Sequence, residues 1–145
     1  MPILNSRMAL HGAIIDLSIG VSEPTRQAMQ SAGKAVPPPI LIRALVDPGA
    51  SSTSIVKSVL PPLGLSPTGF VPVTTPTTGS TAVIFDEYEV SLTIVHAELA
   101  RIFDNVPILG CQPLSDDYQA LFGRDLLKFC TFFYNGPDDT FSLAF

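Results

Sequence analysis

The sequence predicts a mainly β protein that folds as a barrel or a sandwich of many short strands, and three observations support this prediction. Short apolar stretches recur along the chain, and several alternate apolar with polar side chains as half-buried strands do. Turn-forming residues separate these stretches, since the 145 residues include 14 prolines and 10 glycines. Only two short segments have the pattern of a helix. A chain of this length fits one domain, residues 1–145, with its own hydrophobic core.

The first third of the chain is predicted to hold two strands on either side of a short helix. Residues 13–21 alternate apolar and polar side chains, which is typical of a strand with one buried face. Residues 23–32 are predicted to be helical, with Ser22 as the N-cap and Gly33 just past the end. After a run of prolines, residues 40–46 are almost continuously apolar and predict a central strand. A cluster of turn-forming residues follows this strand directly, and loops anchored in this way often carry function.

The middle of the chain predicts a long β-hairpin with a polar tip. Residues 70–74 and 82–95 have β character, and the polar residues 75–80 lie between them. In the second arm, every second residue from Tyr88 to Ile94 is apolar, and the residues between them are polar. One face of this arm is therefore expected in the core, and the tip is expected to protrude as a loop.

The last third predicts one more strand, a short helix and a closing hairpin. Residues 106–111 form a short apolar stretch, and residues 124–129 have the spacing of a short helix. The dipeptide at residues 135–136 is Asn-Gly, a strong turn signal, and it lies between β-like residues 131–134 and 140–145. The chain is thus predicted to end in a hairpin.

Charge and hydropathy exclude two classes of partner and favour another. The 8 basic and 13 acidic residues give a net charge of −5, and the basic residues are scattered, so nucleic acid is not expected as a partner. No apolar run approaches the length of a membrane span and no signal peptide is recognisable, which predicts a soluble cytoplasmic protein with no membrane contact. Only 14% of the residues are charged, so we expect apolar surface to be buried in a homo-oligomer.

The histidines and cysteines do not form a recognisable metal or catalytic pattern. His11, His96, Cys111 and Cys130 lack close ligand spacing, so neither a metal nor another cofactor is expected. Without an export signal, the two cysteines are predicted to be thiols instead of a disulfide. No local signature pairs either histidine with a serine, which argues against a serine hydrolase.

Two motifs flank the predicted central hairpin. Residues 45–50 read LVDPGA, an apolar pair followed by Asp47, any residue, a glycine and a small residue. Residues 121–123 read LFG and are followed by Arg124 and a helical stretch. In these motifs the sequence resembles the retropepsin-like aspartic proteases, especially the small single-domain bacterial type, within the clan of retroviral and pepsin-like enzymes. The resemblance extends over about residues 12–145.

The resemblance implies a closed, mostly antiparallel β barrel of retropepsin type with one or two short helices. It also implies an aspartic endopeptidase that acts as a homodimer on extended peptides, because the sequence has a single Asp-x-Gly motif and each subunit would supply one aspartate. The hairpin would be a flap over the substrate. The residues implied are catalytic Asp47; active-site loop residues Pro48, Gly49, Ala50 and Ser51; substrate-binding residues Thr77, Thr78, Gly79 and Leu121; and supporting residues Gly123 and Arg124.

Three further expectations follow from the resemblance. The apolar chain end, with Phe141, Leu143 and Phe145, is expected at a dimer interface, because family members commonly interleave their terminal strands. Arg124 is expected to bind a backbone carbonyl, because serines stand where the family has the acidic partner of this arginine. Ala50 replaces a serine of the pepsins, which implies a mildly acidic pH optimum, roughly pH 4 to 6.

One position departs from the family pattern. Pro48 follows the aspartate where the family has Thr or Ser, whose hydroxyl links the two active-site loops beneath the aspartates. Proline has neither a hydroxyl nor a backbone N–H, so this link cannot form in the usual way. Two interpretations stay open: an active endopeptidase, or a catalytically weak or inactive module of the same fold that binds peptides or supports assembly.

Overall fold

The chain folds mainly into β-strands, as predicted. A computed structural model describes residues 1–97 and 99–145. Short 3-10 turns at Lys57–Val59 and Pro61–Leu63 follow the fourth strand. In chain order the other elements are β1 (Ile3–Arg7), β2 (Ile14–Val21), α1 (Glu23–Ser31), β3 (Ile40–Val46), β4 (Ser54–Val56), β5 (Gly69–Val73), β6 (Val83–His96), β7 (Leu99–Cys111), β8 (Ala120–Phe122), α2 (Arg124–Leu127), β9 (Thr131–Asn135) and β10 (Thr140–Ala144).

A closed barrel forms the centre of the molecule. Within the described residues, strands pair in the order β2-β3-β8-β4-β7-β6, and β2 also pairs with β6, which closes the ring. Strand β5 pairs with β6 outside this ring and extends the β5–β6 hairpin beyond the barrel. Pairing is antiparallel except between β3 and β8 and between β4 and β7. β8 is inserted between β3 and β4, which are consecutive in the chain and run in opposite directions, so β8 is parallel to β3 and antiparallel to β4.

Alternating side chains fill the barrel. In β2 and β6 the inward residues are buried, and four of them, Leu17, Ile19, Val90 and Leu92, are 0% exposed. Burying a side chain of this size stabilises the fold by about 1.5–3 kcal/mol relative to leaving it in water. The predicted buried face of the second hairpin arm is therefore confirmed.

Three strand segments were missed by the sequence prediction. β1 and β4 were not predicted, and β7 was predicted only from residue 106 although it begins at Leu99. In the missed half of β7, Arg101 and Asp104 interrupt the apolar alternation, yet this half pairs with β6, where Phe103 lies opposite Leu92. These strands owe their conformation to partners that are distant in sequence, so local propensity does not identify them.

The two chain ends lie together in a second, three-stranded sheet of order β1-β10-β9. The predicted closing hairpin is confirmed, since β9 and β10 pair as antiparallel strands. The expected position of the apolar chain end is wrong, however. Phe141, Leu143 and Phe145 are only 1%, 0% and 3% exposed and pack in the core of their own chain. The centres of the Phe141 and Phe132 rings lie 6.2 Å apart, with the rings tilted against each other. Side chains buried in this way cannot supply an intersubunit surface.

Candidate active site

Asp47 lies at the point where the chain leaves β3 and passes around the end of β8. The backbone N–H of Asp47 donates to the carbonyl of Phe122 at 3.0 Å, which continues the parallel β3–β8 ladder by one residue. The chain then returns on the other side of β8 as β4. Asp47 is half-buried. Its carboxylate is therefore placed by three neighbouring strands instead of by the loop alone.

The loop after Asp47 also orients its carboxylate. The N–H of Gly49 donates to Asp47 Oδ1 at 2.8 Å, and the N–H of Ala50 donates to the Asp47 carbonyl at 3.1 Å. A side chain at position 49 would bring its Cβ within 3.0 Å of the same carboxylate oxygen, so glycine permits this close approach. Pro48, between them, is exposed and contributes no N–H.

Arg124 ties α2 to this loop through the backbone. Its Nη1 donates to the carbonyl oxygens of Pro48 at 2.8 Å and of Gly49 at 3.2 Å. The backbone N–H of Arg124 donates in addition to the carbonyl of Ala50 at 2.9 Å. The guanidinium thus holds the loop carbonyls without an acidic side chain between them.

A hydrogen-bonded Thr–Asp pair fixes the far end of the loop, and the sequence prediction did not include it. Thr53 is 0% exposed, and its Oγ1 donates to Asp125 Oδ1 at 2.7 Å while its N–H donates to Asp125 Oδ2 at 2.9 Å. The same Oγ1 accepts from the N–H of Gly123 at 3.1 Å. A Cβ at Gly123 would lie 2.7 Å from the backbone carbon of Ser52. The signal available in the sequence was an aspartate in the first turn of a helix directly after the second motif.

An uncharged groove runs beside the Asp47 loop and beneath the β5–β6 hairpin. Its volume is about 340 Å³. Burial raises the pKa of the Cys111 thiol at its wall, so this group also stays neutral. The lining residues come from the loop, from both arms and the tip of the hairpin, from β4, β7 and β8, and from the segment after β7: Gly49, Ala50, Ser51, Ser52, Ser54, Val73, Thr74, Thr75, Pro76, Phe85, Leu109, Cys111, Leu114 and Leu121.

The structure brings together part of the predicted substrate-binding set. Leu121 lines the groove, next to the loop residues of the first motif. Among the described residues that line it, however, the hairpin contributes residues 73–76 and Phe85, and not Thr77, Thr78 or Gly79, which lie farther out on the tip. The sequence indicates which residues lie in the tip of the hairpin. It does not indicate which of the hairpin residues meet the groove.

The hairpin is held differently at its base and at its tip. At the base, Lys57 Nζ contacts Asp86 Oδ2 at 2.6 Å, and this hydrogen bond raises the pKa of Lys57. At the tip, the N–H of Thr75 donates to Thr78 Oγ1 at 2.7 Å, and Thr78 Oγ1 donates to the Thr75 carbonyl at 3.1 Å. The tip is thus closed by its own threonines.

Other kinds of site were sought in the part of the chain that the structure describes. There, no three His, Cys, Asp or Glu side chains lie close enough together to hold a metal ion. Cys111 and Cys130 are free thiols. No helix in residues 1–97 or 99–145 has the length and apolar character needed to cross a membrane.

The comparisons with known proteins bear on the whole arrangement. No family model matches the chain, and no curated protein matches it. Among solved structures, the crystal structure of a retropepsin-like aspartic protease from Rickettsia conorii matches with a TM-score of 0.58 at 17% sequence identity. The match covers 99% of this chain and 91% of that one. The chain has the retropepsin-like fold.

Proposed function

We propose that the protein is an aspartic endopeptidase that acts as a homodimer, with Asp47 of each copy in one catalytic pair. One observation carries the proposal: a half-buried aspartate, oriented by the N–H of Gly49, stands on a loop wrapped around β8 and beside an uncharged groove under a hairpin. The likeness of fold to a retropepsin-like aspartic protease supports it.

The chemistry requires two carboxylates, and each chain offers one in an Asp-x-Gly motif. Two carboxyl groups about 3 Å apart cannot both ionise, so one retains a proton. The ionised Asp47 takes a proton from a water molecule as this water attacks the scissile carbonyl. The protonated Asp47 of the second copy donates to the carbonyl oxygen. A tetrahedral intermediate forms without a covalent bond to the enzyme. As it collapses, the first Asp47 gives its proton to the departing amine nitrogen, and the second Asp47 takes one back from a hydroxyl of the intermediate.

The groove indicates the kind of peptide that the enzyme takes. Its walls combine apolar side chains such as Phe85, Leu109 and Leu121 with serine and threonine hydroxyls. An extended peptide with apolar side chains beside the scissile bond fits such walls, because a charged side chain would lose its hydration without gaining an ion pair. Closure of the hairpin over the peptide would exclude bulk water from the aspartates.

A peptide library tests this proposal directly. We would incubate the native chain and the Asp47→Asn variant with a mixed library from about pH 3 to about pH 7, with Asp104→Asn, an exposed position on β7, as a matched control. We expect cleavage by the native chain and the control, strongest at roughly pH 4 to 6, and none by Asp47→Asn. Cleavage that persists in Asp47→Asn would refute the assignment.

A noncatalytic peptide-binding or assembly module is the second candidate, and Pro48 favours it. This residue has no hydroxyl with which to link two active-site loops, and its carbonyl is engaged by Arg124. Such a module would bind peptides in the groove with equal affinity in the native chain and in Asp47→Asn. Calorimetric titration with library peptides that neither protein cleaves would reveal it.

A further inference from the structure

Part of the groove wall is one face of three neighbouring strands, β8, β4 and β7. In the register of these strands, Ser54 of β4 is paired with Leu121 on one side and with Leu109 on the other. Paired residues on adjacent strands point to the same face of a sheet, and all three of these residues line the groove. This part of the wall is therefore an apolar row with a hydroxyl group at its centre.

Ser54 differs from the other hydroxyl-bearing residues of the groove in its burial. It is only 9% exposed, whereas Ser51 is exposed and Ser52 is half-buried on the loop. On the hairpin, Thr74 is exposed, and the half-buried Thr75 already bonds within the tip. Water reaches an exposed hydroxyl and can replace a bond that a ligand makes to it. A bond to the buried hydroxyl of Ser54 meets less of this competition, so it can discriminate between ligands.

The Cys111 thiol is the neighbour of the Ser54 hydroxyl. Cys111 follows Leu109 by two positions on β7, so its side chain lies on the same face of the strand, and it too is 9% exposed. Burial raises the pKa of the Cys111 thiol, and a hydrogen bond with Ser54 opposes this rise. A thiol is a weak hydrogen-bond partner, whereas a hydroxyl has one donor and two acceptor positions. Ser54 therefore retains the capacity to bond to a ligand in the groove.

We infer that Ser54, with Cys111 beside it, selects peptides in which the side chain against this part of the wall carries a hydroxyl or an amide, as threonine and asparagine do. The inference rests on the proposed function, for which it narrows the class of substrate. The other side chains next to the scissile bond stay apolar, because Phe85, Leu109 and Leu121 supply apolar walls.

The basis of this selection is the cost of covering a buried hydroxyl. An aliphatic side chain against Ser54 would displace water from the hydroxyl and offer no hydrogen bond in return. A threonine or asparagine side chain supplies that bond. A charged side chain would lose its hydration, and the described residues that line the groove include none with a charge to pair with it. One net hydrogen bond corresponds to about 5- to 10-fold in affinity.

Matched peptides test the inference, because threonine and valine have nearly the same shape and differ in the hydroxyl. Peptides that carry a cleavage site found in the mixed library would receive threonine or valine in turn at each position on either side of the scissile bond. We expect one position at which the native chain cleaves the threonine peptide with a kcat/KM about 5- to 10-fold above that of the valine peptide. Ser54→Ala should abolish this preference at that position. A native chain without the preference, or an equal preference in Ser54→Ala, would overturn the inference.

Two further variants separate the hydroxyl of Ser54 from the shape of the groove. Ser54→Thr keeps the hydroxyl and should keep the preference for threonine. Ser51→Ala removes an exposed hydroxyl of the same groove and should leave the ratio of the two kcat/KM values unchanged, whatever it does to the overall rate. Thermal unfolding verifies that each variant is folded. If folded Ser54→Thr lost the preference, or if Ser51→Ala lost it too, the selection could not be assigned to the Ser54 hydroxyl.

Peptide binding without cleavage separates this inference from the proposed function. The Asp47→Asn chain would be incubated with the mixed library and washed, and the retained peptides would be sequenced by mass spectrometry. Enrichment of threonine over valine that a further Ser54→Ala change removes upholds the role of Ser54, even if the native chain cleaves nothing and the endopeptidase is thereby contradicted. Cleavage that Asp47→Asn abolishes, without any preference that depends on Ser54, upholds the endopeptidase and contradicts the inference.

Discussion

The groove has a floor, formed by the loop of residues 47–53, and a roof, formed by the β5–β6 hairpin. These two parts are held in place by different kinds of contact. In the floor, the loop of residues 47–53 is bonded to β8 and α2, whose residues are 70 or more positions away, as in the Thr53–Asp125 and Pro48–Arg124 hydrogen bonds. In the roof, the tip hydrogen bonds join Thr75 to Thr77 and Thr78, at most three positions apart. The loop in the floor is therefore held by elements that are distant in the sequence. The hydrogen bonds of the tip, in contrast, join residues of the tip to one another.

This difference suits the two tasks that the groove would perform in the proposed endopeptidase. A pair of carboxylates functions only when its separation is held to a fraction of an ångström, which requires support from rigid elements. A roof that admits a peptide has to move away from the floor and return. A tip bonded only to itself can do this as a unit, because no bond to the barrel has to break.

The largest expected effect contrasts two glycines, one in each region. In the floor, Gly123→Ala places a Cβ 2.7 Å from the backbone of Ser52, and backbone cannot swing aside as a side chain can. We expect a loss of about 3 kcal/mol or more in the free energy of unfolding. In the roof, Gly79→Ala meets nothing within 4 Å and should cost about 1 kcal/mol for its φ of +60°. Urea denaturation measures both.

The control for this contrast is the backbone conformation. Gly123 has φ −86° and ψ −179°, which any residue adopts without strain, so its loss reports the collision alone. Equal losses at the two positions would mean that the loop is free to move away from β8, and the distinction between floor and roof would fail.

The second prediction removes the acid that holds the floor. Asp125→Ala leaves the N–H and the hydroxyl of the fully buried Thr53 without their acceptor, and we expect a loss of about 2–3 kcal/mol. Asp125→Asn keeps one acceptor oxygen and should lose about half as much. Cleavage should fall in the same order, because the loop carries Asp47. Asp104→Ala is the matched exposed control, and a loss there equal to that at Asp125 would contradict the argument.

The strands of the barrel that could be predicted are those whose own residues alternate between apolar and polar side chains. Long alternating stretches such as β2 and β6 carry their own signal, because each second side chain is buried. β4 is only three residues long and fully buried, and β1 is mostly exposed, so neither shows an alternation. Their conformation depends on β7, β8 and β10, which lie far along the chain, and this information is not local.

The candidate site also contains one part that a local sequence pattern predicts and one part that depends on distant contacts. The Asp47 loop and Leu121 belong to motifs of contiguous residues, so their proximity could be expected. The Thr53–Asp125 pair is formed by two ordinary polar residues, and only the insertion of β8 between β3 and β4 brings them together. Likewise, the apolar chain end indicated burial, but the sequence does not state whether the burying surface is its own chain or a partner.

The third prediction concerns Pro48, the floor residue at which the family has a hydroxyl that links two active-site loops. Pro48 is the exposed loop residue next to Asp47, and its side chain can form no hydrogen bond to the same loop of a second copy. Pro48→Thr adds a hydroxyl there, and we expect dimerisation to tighten by about 5- to 10-fold, as one net hydrogen bond would give. Cleavage should rise with it. Pro48→Ala, which also restores the N–H, is the control, and a gain in Ala equal to that in Thr would exclude the hydroxyl as the cause.

The smallest expected effect lies at the tip of the roof. Thr78→Val removes an acceptor for the Thr75 N–H and a donor to the Thr75 carbonyl, yet this tip is near water, which can replace both bonds. We expect the free energy of unfolding to change by about 0.5 kcal/mol, because a replaceable hydrogen bond contributes little. The peptide, however, meets a tip with a less defined shape, so KM should rise while kcat is retained. Thr81→Val, an exposed residue of the same tip, should change neither quantity. If Thr78→Val destabilised the protein as much as Asp125→Ala, the tip would have to be bonded to the barrel, and the roof would then be as fixed as the floor.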